Sequence, residues 1–513
     1  MIAAMAENMY DATIVGAGHN GLVAGFYLAR AGRKVLLCER RGFVGGACAT
    51  EEFFDGYRIS TCAYVMWKLE QKVRDDMALD ARGLKMSLID PPVFFPYEDG
   101  SHAFLHYEME RSMASIAGLN ARDAERYPDW LALWSKMIGL VQPTIITDDP
   151  PGLPELRARA EANGHADVLE KFLTSSLWDL TAEYFDDERV RAMMVYVQDM
   201  ADPHAPGSAW AETFFQFGAA GSHGYYVVEG GMGRITETMA EAVLEQGCEI
   251  RCDAPVARVL VEGGAAVGVR LESGEEIRAH KVLSNADPKR TYRTLFEPAD
   301  LPAGLAKEVE NLKTGTGYFK FHCVMDKAPD VSSYLNGSDI AAGDVSYILI
   351  APSLDHYARA GAQMRAGQPC TEPICHLQVP TVYDSTLTEK DGVICSIWGL
   401  YAPSRLAEGN WETRRNEAGE AVIDWVNRFI PNFRADIREW MFLSPWDIEQ
   451  RTGITDGAIR HLDVVPGQFL GQRLGYETPL ANFYLCGGGT HPAGEVTGAP
   501  GHNAAHHILR ETA

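Results

Sequence analysis

The sequence predicts an α/β protein in which a parallel-sheet domain is assembled from discontinuous segments and carries an inserted α+β domain. Three observations predict it. Residues 10–41, YDATIVGAGHNGLVAGFYLARAGRKVLLCERR, read as strand, glycine turn, helix, strand. A second block of similar grammar starts at Tyr225, and a strand, glycine loop and helix close the chain over 482–509. Strands alternating with helices across tight glycine turns are the pattern of a parallel sheet. A length of 513 residues exceeds what one hydrophobic core holds, so two or more domains are expected.

The first unit is the most informative. Residues 12–15 form a short apolar strand that opens onto Gly16-Ala17-Gly18-His19-Asn20-Gly21. Residues 22–31 carry helix formers with apolar positions at near-3.6 spacing, and Gly32 stops them. Residues 34–38 are a second apolar strand ending at Glu39. Gly16 permits the tight turn, Gly18 lets a pyrophosphate approach the backbone, and Gly21 lets the helix pack on the sheet. The helix N-terminus offers unpaired N–H groups to phosphates. Glu39 lies 18 residues after Gly21, where a carboxylate accepts from ribose hydroxyls. This unit therefore predicts a dinucleotide site.

Next comes Arg40-Arg41-Gly42-Phe43-Val44-Gly45-Gly46-Ala47. Gly45 and Gly46 mark either a second close approach of backbone to ligand or an ordinary loop. Arg40 and Arg41 hint at a 2′-phosphate, and the neighbouring Glu39 opposes one. Asp99-Gly100 predicts a hairpin between strands at 93–97 and 102–106. From 109 to about 217 the pattern is mainly helical and rich in large rings: Trp130, Trp134, Trp178, Tyr184, Phe185, Tyr196, Trp210, Phe214, Phe215 and Phe217. These rings either fill the core of their own domain or line a cavity for an apolar substrate. Proline-rich loops at 143–154 and 202–207 connect the helices.

At Tyr225 the character changes. A strand at 225–228 leads to Glu229-Gly230-Gly231-Met232-Gly233-Arg234 and an amphipathic helix over 235–247. A strand at 248–252, a hairpin of 256–262 with 266–272 across Gly263-Gly264, and a strand at 281–284 follow. This block reads as the first domain resumed. From 316 onward the chain is strand-rich, at 318–325, 345–351, 374–380 and 393–401, with a helix over 411–429. It predicts an antiparallel sheet with helical cover. Lys320 is the charged residue of an aromatic, alternating strand, facing either solvent or a site. The tail has a strand at 483–486, a glycine loop at 487–501 and a helix over 502–510. Glycine loops at opposite ends of the chain are explained by one long ligand bridging them, and an extended flavin dinucleotide does so.

Bulk properties narrow the class. The net charge of −24 argues against nucleic acid as a partner and against an anionic bilayer. Ten cysteines lie scattered without a CxxC pair, so neither a redox dithiol nor a metal site is expected, and a reducing cytoplasm is the simplest compartment. The start, MIAAMAENMYDA, lacks the basic region of a signal peptide. The most apolar stretch, 130–147, is broken by Ser135, Lys136 and Pro143, so no membrane span is expected.

Taken together, GAGHNGL, Gly45-Gly46, EGGMG and the tail CGGGTHPAGEVTGAPGHNAA resemble the phytoene desaturase-like FAD oxidoreductases. Within them the chain is most similar to the branch of pyridine nucleotide-disulfide oxidoreductase domain-containing proteins, with carotenoid desaturases and flavin amine oxidases as wider relatives. The resemblance implies a Rossmann-type FAD-binding domain assembled from 1–95, 223–300 and 466–513. It implies a mainly helical cap over 96–222 and a substrate-domain sheet over 301–465. FAD is then held non-covalently, with Gly16, Gly18 and Gly21 at the pyrophosphate and Glu39 at the adenosine ribose. Arg40, Gly45, Gly46, Gly231 and Met232 are expected along the cofactor, and Val256 near the adenine. Gly488, Gly489, Gly498 and Gly501 are expected near the ribityl chain and isoalloxazine.

Relatives often read HPGGGV where this chain has His491-Pro492-Ala493-Gly494-Glu495-Val496. Glu495 therefore brings a carboxylate into the loop, either as a helix-start or ribityl contact or as a substrate-binding or acid–base group. Ala493 is a minor change on the sequence alone. Glu495 and His491 are the candidate bases. Lys320 sits where flavin amine oxidases place a lysine that holds a water. The implied activity is dehydrogenation or desaturation of an apolar small molecule, with oxygen or a quinone taking the electrons. Amine oxidation, redox-neutral isomerisation and a flavin-free binding protein of the same fold are the alternatives.

Overall fold

A computed structural model describes residues 9–216 and 224–511. Phe217 and the domain boundary expected at 222/223 lie outside the described residues. Two seven-stranded sheets organise the chain. In the first, Tyr10–Val15 lies between Val35–Cys38 and Glu276–Ser284, all parallel, and Glu249–Arg251 extends the edge. Phe483–Leu485 joins in parallel on the far side of Glu276–Ser284. Val256–Glu262, Ala265–Leu271 and Glu276–Ser284 form an antiparallel meander across the expected Gly263-Gly264 turn. The N-terminal strand is largely buried along both faces, as a central parallel strand must be.

Three helices cover one face: His19–Arg30, Gly233–Glu245 and Ala499–Glu511. Glycines set their approach. A Cβ on Gly25 would lie 3.0 Å from Leu37 Cδ1, and one on Gly501 would lie 2.1 Å from the Asn20 carbonyl oxygen. The strand predicted at 225–228 forms as Tyr226–Val228, but it pairs with Met86–Leu88 in a separate ribbon and not in the parallel sheet. The alternation of that sheet resumes only at the following helix.

The second sheet runs Ile437–Leu443, Tyr318–Met325, Val393–Leu400, Ile374–Gln378, Tyr347–Ile350, Val93–Pro96, His102–Leu105. The first of the two hairpin strands straddles the expected boundary at 95/96, and its pairing puts it with this sheet. Period-two alternation decides its faces. Phe319, Phe321 and Cys323 pack against Trp411, Val422 and Trp425 of the Trp411–Asn427 helix. Tyr318 and Lys320 turn the other way, toward the first sheet.

The inserted helices, among them Ala121–Val141, Ala166–Thr174 and Ser208–Glu212, close over that face. Most of their rings pack on one another. Trp134 meets Phe172 edge-on at 4.7 Å, Trp130 meets Phe185 at 5.4 Å, and Trp178 stacks on His204 at 4.3 Å. Their own core absorbs most of these side chains, and among the described rings Tyr196 lines the cavity below. All ten cysteines are free thiols, and most are buried in apolar strands. Among the described residues, no helix is long and apolar enough to cross a membrane.

Candidate active site

The two ends of the chain meet. His19, at the start of the first helix, directs Nε2 at the Glu495 carbonyl oxygen, 3.1 Å away. Asn285, at the end of the Glu276–Ser284 strand, donates its backbone N–H to the Val15 carbonyl at 2.9 Å and places Nδ2 near Gly16. A Cβ on Gly487 would lie 2.7 Å from the Asn285 carbonyl oxygen. Around this junction runs a cavity of about 720 Å³, long enough in its lining to have two arms.

The first arm is backbone and charge. Gly16, Gly18, Glu39, Arg40, Gly45, Gly46 and Val256 all line it, as expected. Gly18 and Gly45 form an isolated parallel bridge, and the Gly45 N–H donates to the Ala17 carbonyl at 3.0 Å. Glu39 is buried and accepts from the N–H of Ala17 at 2.9 Å and of Arg41 at 3.0 Å. Its carboxylate is thereby fixed toward the lining. The glycine pair demands its residue type: Gly45 has φ +119°, and a Cβ there would sit 2.8 Å from Thr236 Oγ1. This backbone cradle, opened by glycines at the N-terminus of a helix, fits a dinucleotide pyrophosphate. Gly45→Ala should strain the loop by ~1–3 kcal/mol and lower the fraction of purified protein carrying flavin, read as absorbance at about 450 nm against 280 nm.

The second arm is aromatic. Tyr64, Trp67, Tyr196, Tyr225, Tyr347 and Trp398 line it, with Lys320, His376 and Glu495 among them. Trp67 and Tyr225 stack at 6.0 Å, and Tyr318 and Trp398 approach to 5.2 Å. Lys320 is 2% exposed, so the solvent-facing alternative is excluded. Its Nζ lies 3.5 Å from the centre of the Tyr64 ring and has no hydrogen-bond partner among the described residues. Burial lowers the Lys320 amine to about 7.

Glu495 reaches Arg460 at 2.6 Å and accepts from Trp67 Nε1 at 3.4 Å. It makes neither a helix-start hydrogen bond nor a free carboxylate. Burial pushes its carboxyl up, but Arg460 and Lys68 outweigh that and hold it below the usual carboxylate range. Arg460 is itself buried and pairs with Asp199 at 2.6 Å. Asp199 accepts in turn from the Val464 N–H at 2.7 Å and from Tyr318 Oη. Two residues of this loop take a backbone conformation that favours glycine: Ala493 at φ +132° and Glu495 at φ +74°. Ala493 is therefore not the minor change it looked. Both side chains are retained at a backbone cost of order 1–3 kcal/mol each, and at Glu495 the ion pair offsets it.

Several expected residues lie elsewhere, each for a packing reason. His491 Nε2 is 2.6 Å from the Thr144 carbonyl oxygen, and the ring does not line the cavity. Burial lowers it to about 4, so it is neutral. Gly231 packs on the Thr50–Phe53 strand, where a Cβ would lie 2.5 Å from Thr50 Oγ1, and the Met232 N–H donates to Ser60 Oγ. Gly489 packs on Pro288, Gly498 sits between Val73 and Val23, and Gly501 is the helix crossing described above. Gly21 serves the turn, since a Cβ would lie 2.2 Å from the Gly16 carbonyl oxygen. Of the C-terminal glycines predicted at the ligand, Gly488 lines the cavity.

The sequence reading missed Arg460, Asp199, Arg473, Tyr64, Tyr347, His376 and Trp398. Arg473 ties the glycine loop down by donating to the carbonyls of Gly488 and Leu462, both at 2.8 Å, and of Thr490 at 3.1 Å. A buried guanidinium satisfied by carbonyls gives no periodic signal in sequence. The alternating strands did carry a signal for His376 and Trp398: each is the polar or amphipathic member of an apolar run.

Comparison with known proteins agrees with this geometry. The profile described as "Flavin containing amine oxidoreductase" matches residues 21–364. The chain is 29% identical to mouse (Mus musculus) pyridine nucleotide-disulfide oxidoreductase domain-containing protein 2, over 98% of this chain and 94% of that protein. It is 22% identical to a 4,4'-diapophytoene desaturase (4,4'-diapolycopene-forming) of a Methylomonas species, over 93% and 91%, and 26% identical to one of the polypeptides of limonene dehydrogenase from Castellaniella defragrans, over 98% and 94%. Cyclohexylamine oxidase from Brevibacterium oxydans shares the fold, with a TM-score of 0.58 at 16% identity over 98% of this chain and 99% of that one.

Proposed function

Because the chain belongs to the flavin-containing amine oxidoreductase family, is an FAD-dependent oxidoreductase and resembles desaturases of that superfamily, we propose that it removes a hydride and a proton from adjacent carbons of an apolar small molecule, with oxygen or a quinone as the final electron acceptor. The observation that carries this reading is the aromatic arm of the cavity: its ionised carboxylate, Glu495, is already engaged by Arg460. No free anion among the described residues of that arm draws a cationic substrate there.

Gly16, Gly18, Glu39, Gly45, Gly46 and Val256 would hold the dinucleotide, and Gly488 would face it from the C-terminal glycine loop. Bound FAD supplies the acceptor for the hydride equivalent. The aromatic walls position a C–H bond and exclude water from it. Lys320, not Glu495 or His491, is the proton acceptor: an amine lowered to about 7 matches neutral pH, whereas Glu495 is held too acidic to take a proton. Glu495 anchors Arg460 and Trp67 beside the chamber. Glu495→Gln should keep flavin bound and lower kcat by about tenfold through loss of that anchor, with KM and the pH profile little changed. A hundredfold or larger loss together with loss of a pH limb would make Glu495 the base instead.

The test of the whole reading is anaerobic bleaching of the protein-bound flavin by a panel of apolar compounds, limonene among them, beside a panel of amines assayed for hydrogen peroxide. Bleaching by hydrocarbons with silence across the amines is expected. Amine oxidation is the second reading, favoured by the buried Lys320 alone; peroxide released from amines, or product isomers without net bleaching, would replace the proposal.

A further inference from the structure

The aromatic arm ends in a wall. Five rings touch in a closed circuit. Trp67 stacks on Tyr225 at 6.0 Å, and Tyr225 stacks on Tyr347 at 5.3 Å. Tyr347 meets His376 at 6.3 Å, His376 stacks on Tyr196 at 6.1 Å, and Tyr196 returns to Trp67 at 6.4 Å. These are the spacings of packed aromatic neighbours. Hydrogen bonds brace the circuit. Tyr196 Oη and Tyr225 Oη bond to each other across it, and Tyr347 Oη lies 3.1 Å from His376 Nδ1. A hoop spanned by its own hydroxyls does not admit a hydrocarbon chain, whose carbons need about 3.5–4.0 Å from each neighbouring atom.

The cavity stops at these rings. All five line it, and of the described residues over 109–216 Tyr196 and Gln198 alone do. Trp67 and Tyr196 are half-buried, so a molecule in the arm can touch their faces. Separate voids adjoin the arm at Tyr64 and at Lys68, but they hold about 20 and about 10 Å³. Each has room for about one water, so neither continues the arm. Volume limits the substrate from the other side as well. The 720 Å³ must take the dinucleotide in addition to the substrate, and one drug-sized ligand by itself fills about 300–1,000 Å³.

We propose that the substrate is a compact apolar molecule of limited length, and that the five-ring wall, braced by Tyr196 and Tyr225, sets that limit. This rests on the reading of the aromatic arm as the substrate chamber, and it divides the apolar compounds open to that reading. Short ones fit between the wall and the cofactor, and long chains do not. Tyr225 is the member to remove first. Its backbone N–H donates to Tyr107 Oη at 3.1 Å, and Tyr107 is 37% exposed, so the protein is thin behind that residue. Loss of the Tyr225 ring therefore lengthens the arm toward the surface.

The test uses the FAD-loaded protein and n-alkylbenzenes with side chains of two to eight carbons, their binding followed by the flavin absorbance change. In an open channel each added methylene tightens binding about fourfold, because each is buried in turn. In a blind arm the gain stops where the chain meets the wall, and longer probes then bind more weakly. The wild type should show that break within the series. Tyr225→Ala should move the break to a longer chain, so that the first probe refused by the wild type binds about tenfold more tightly relative to ethylbenzene. Tyr225→Phe keeps the ring and should keep the wild-type break. Tyr196→Ala opens the other side of the brace and should act as Tyr225→Ala does, which covers the case of one variant failing to fold. Steady tightening through all eight carbons in the wild type would overturn the length limit and leave the apolar chamber standing. A break that stays in place in both alanine variants would overturn the assignment to this wall. Failure of every probe to bind would overturn the chamber itself, and this inference with it.

Discussion

Arg460→Met is expected to destabilise the protein by ~3–5 kcal/mol, because it strands the fully buried Asp199 carboxylate and removes the partner of the Glu495 carboxylate at the cavity wall. Asp199 and Arg460 are buried to within 1% and 2% exposure, and Glu495 is the third member. The guanidinium also donates to Gln198 and, at 3.1 Å, to Tyr318 Oη. Methionine fills similar volume and adds no charge, so the loss reports on charge and not on a void. Thermal unfolding of the FAD-loaded protein, followed by flavin release and by circular dichroism, should move down by about 10 °C or more, given a few degrees per kcal/mol for domains of this size. Adding Asp199→Asn should recover part of the loss, since the remaining buried partner is then neutral. An unchanged midpoint in Arg460→Met, or a double variant worse than the sum of the singles, would refute the account. Arg460→Lys should not rescue, because one ammonium cannot satisfy two carboxylates in the fork geometry of a guanidinium.

Lys320→Met is expected to lose catalysis and gain stability, and the two effects separate by pH. If Lys320 accepts the substrate proton, only its neutral form is competent. The rate should then rise with pH through about 7, where burial has brought the amine. The variant should lose about 10²–10⁴-fold in kcat and lose that limb. Stability moves the other way. The unfolded amine holds its proton up to about 10.4, whereas the folded amine holds it only up to about 7. Between those values the unfolded chain binds the extra proton, so Lys320 makes the wild type more stable as pH rises. Below about 7 both states are protonated and the full cost of burying the charge is present, on the order of 4 kcal/mol. The advantage of Lys320→Met should therefore be largest near pH 6 and vanish above about pH 10. An advantage that does not shrink with pH would mean that the amine is not titrating in the fold. A variant with normal kcat would remove Lys320 from the chemistry.

How much of this was readable beforehand depends on where the signal resides. The Gly16–Gly18–Gly21 turn and Glu39 were legible because each is demanded by a neighbour within one strand–turn–helix unit. The helix over 411–429 and the strands at 318–325 and 393–401 were legible from period, since burial on one face writes itself into alternation. For Gly231, Gly489, Gly498 and Gly501 the structure shows a close packing neighbour instead of the cavity. A glycine needed for helix or hairpin packing looks the same in sequence as one needed for a ligand. A histidine beside a glycine loop, His491, looks catalytic in sequence, and only the fold shows its ring turned to Thr144.

By itself, the sequence determined the order of strands and helices, the dinucleotide turn, the family and the convergence of the two ends on one cavity. These are local or end-to-end patterns, and a one-dimensional chain records them. Only the tertiary structure decided which face of the 318–325 strand Lys320 takes and that Glu495 is spent on Arg460. It alone brought Tyr196, Tyr225 and Tyr347 together at the end of one arm. Those facts come from register between strands far apart in the chain and from charges that meet only after folding, and neither leaves a trace in residue spacing.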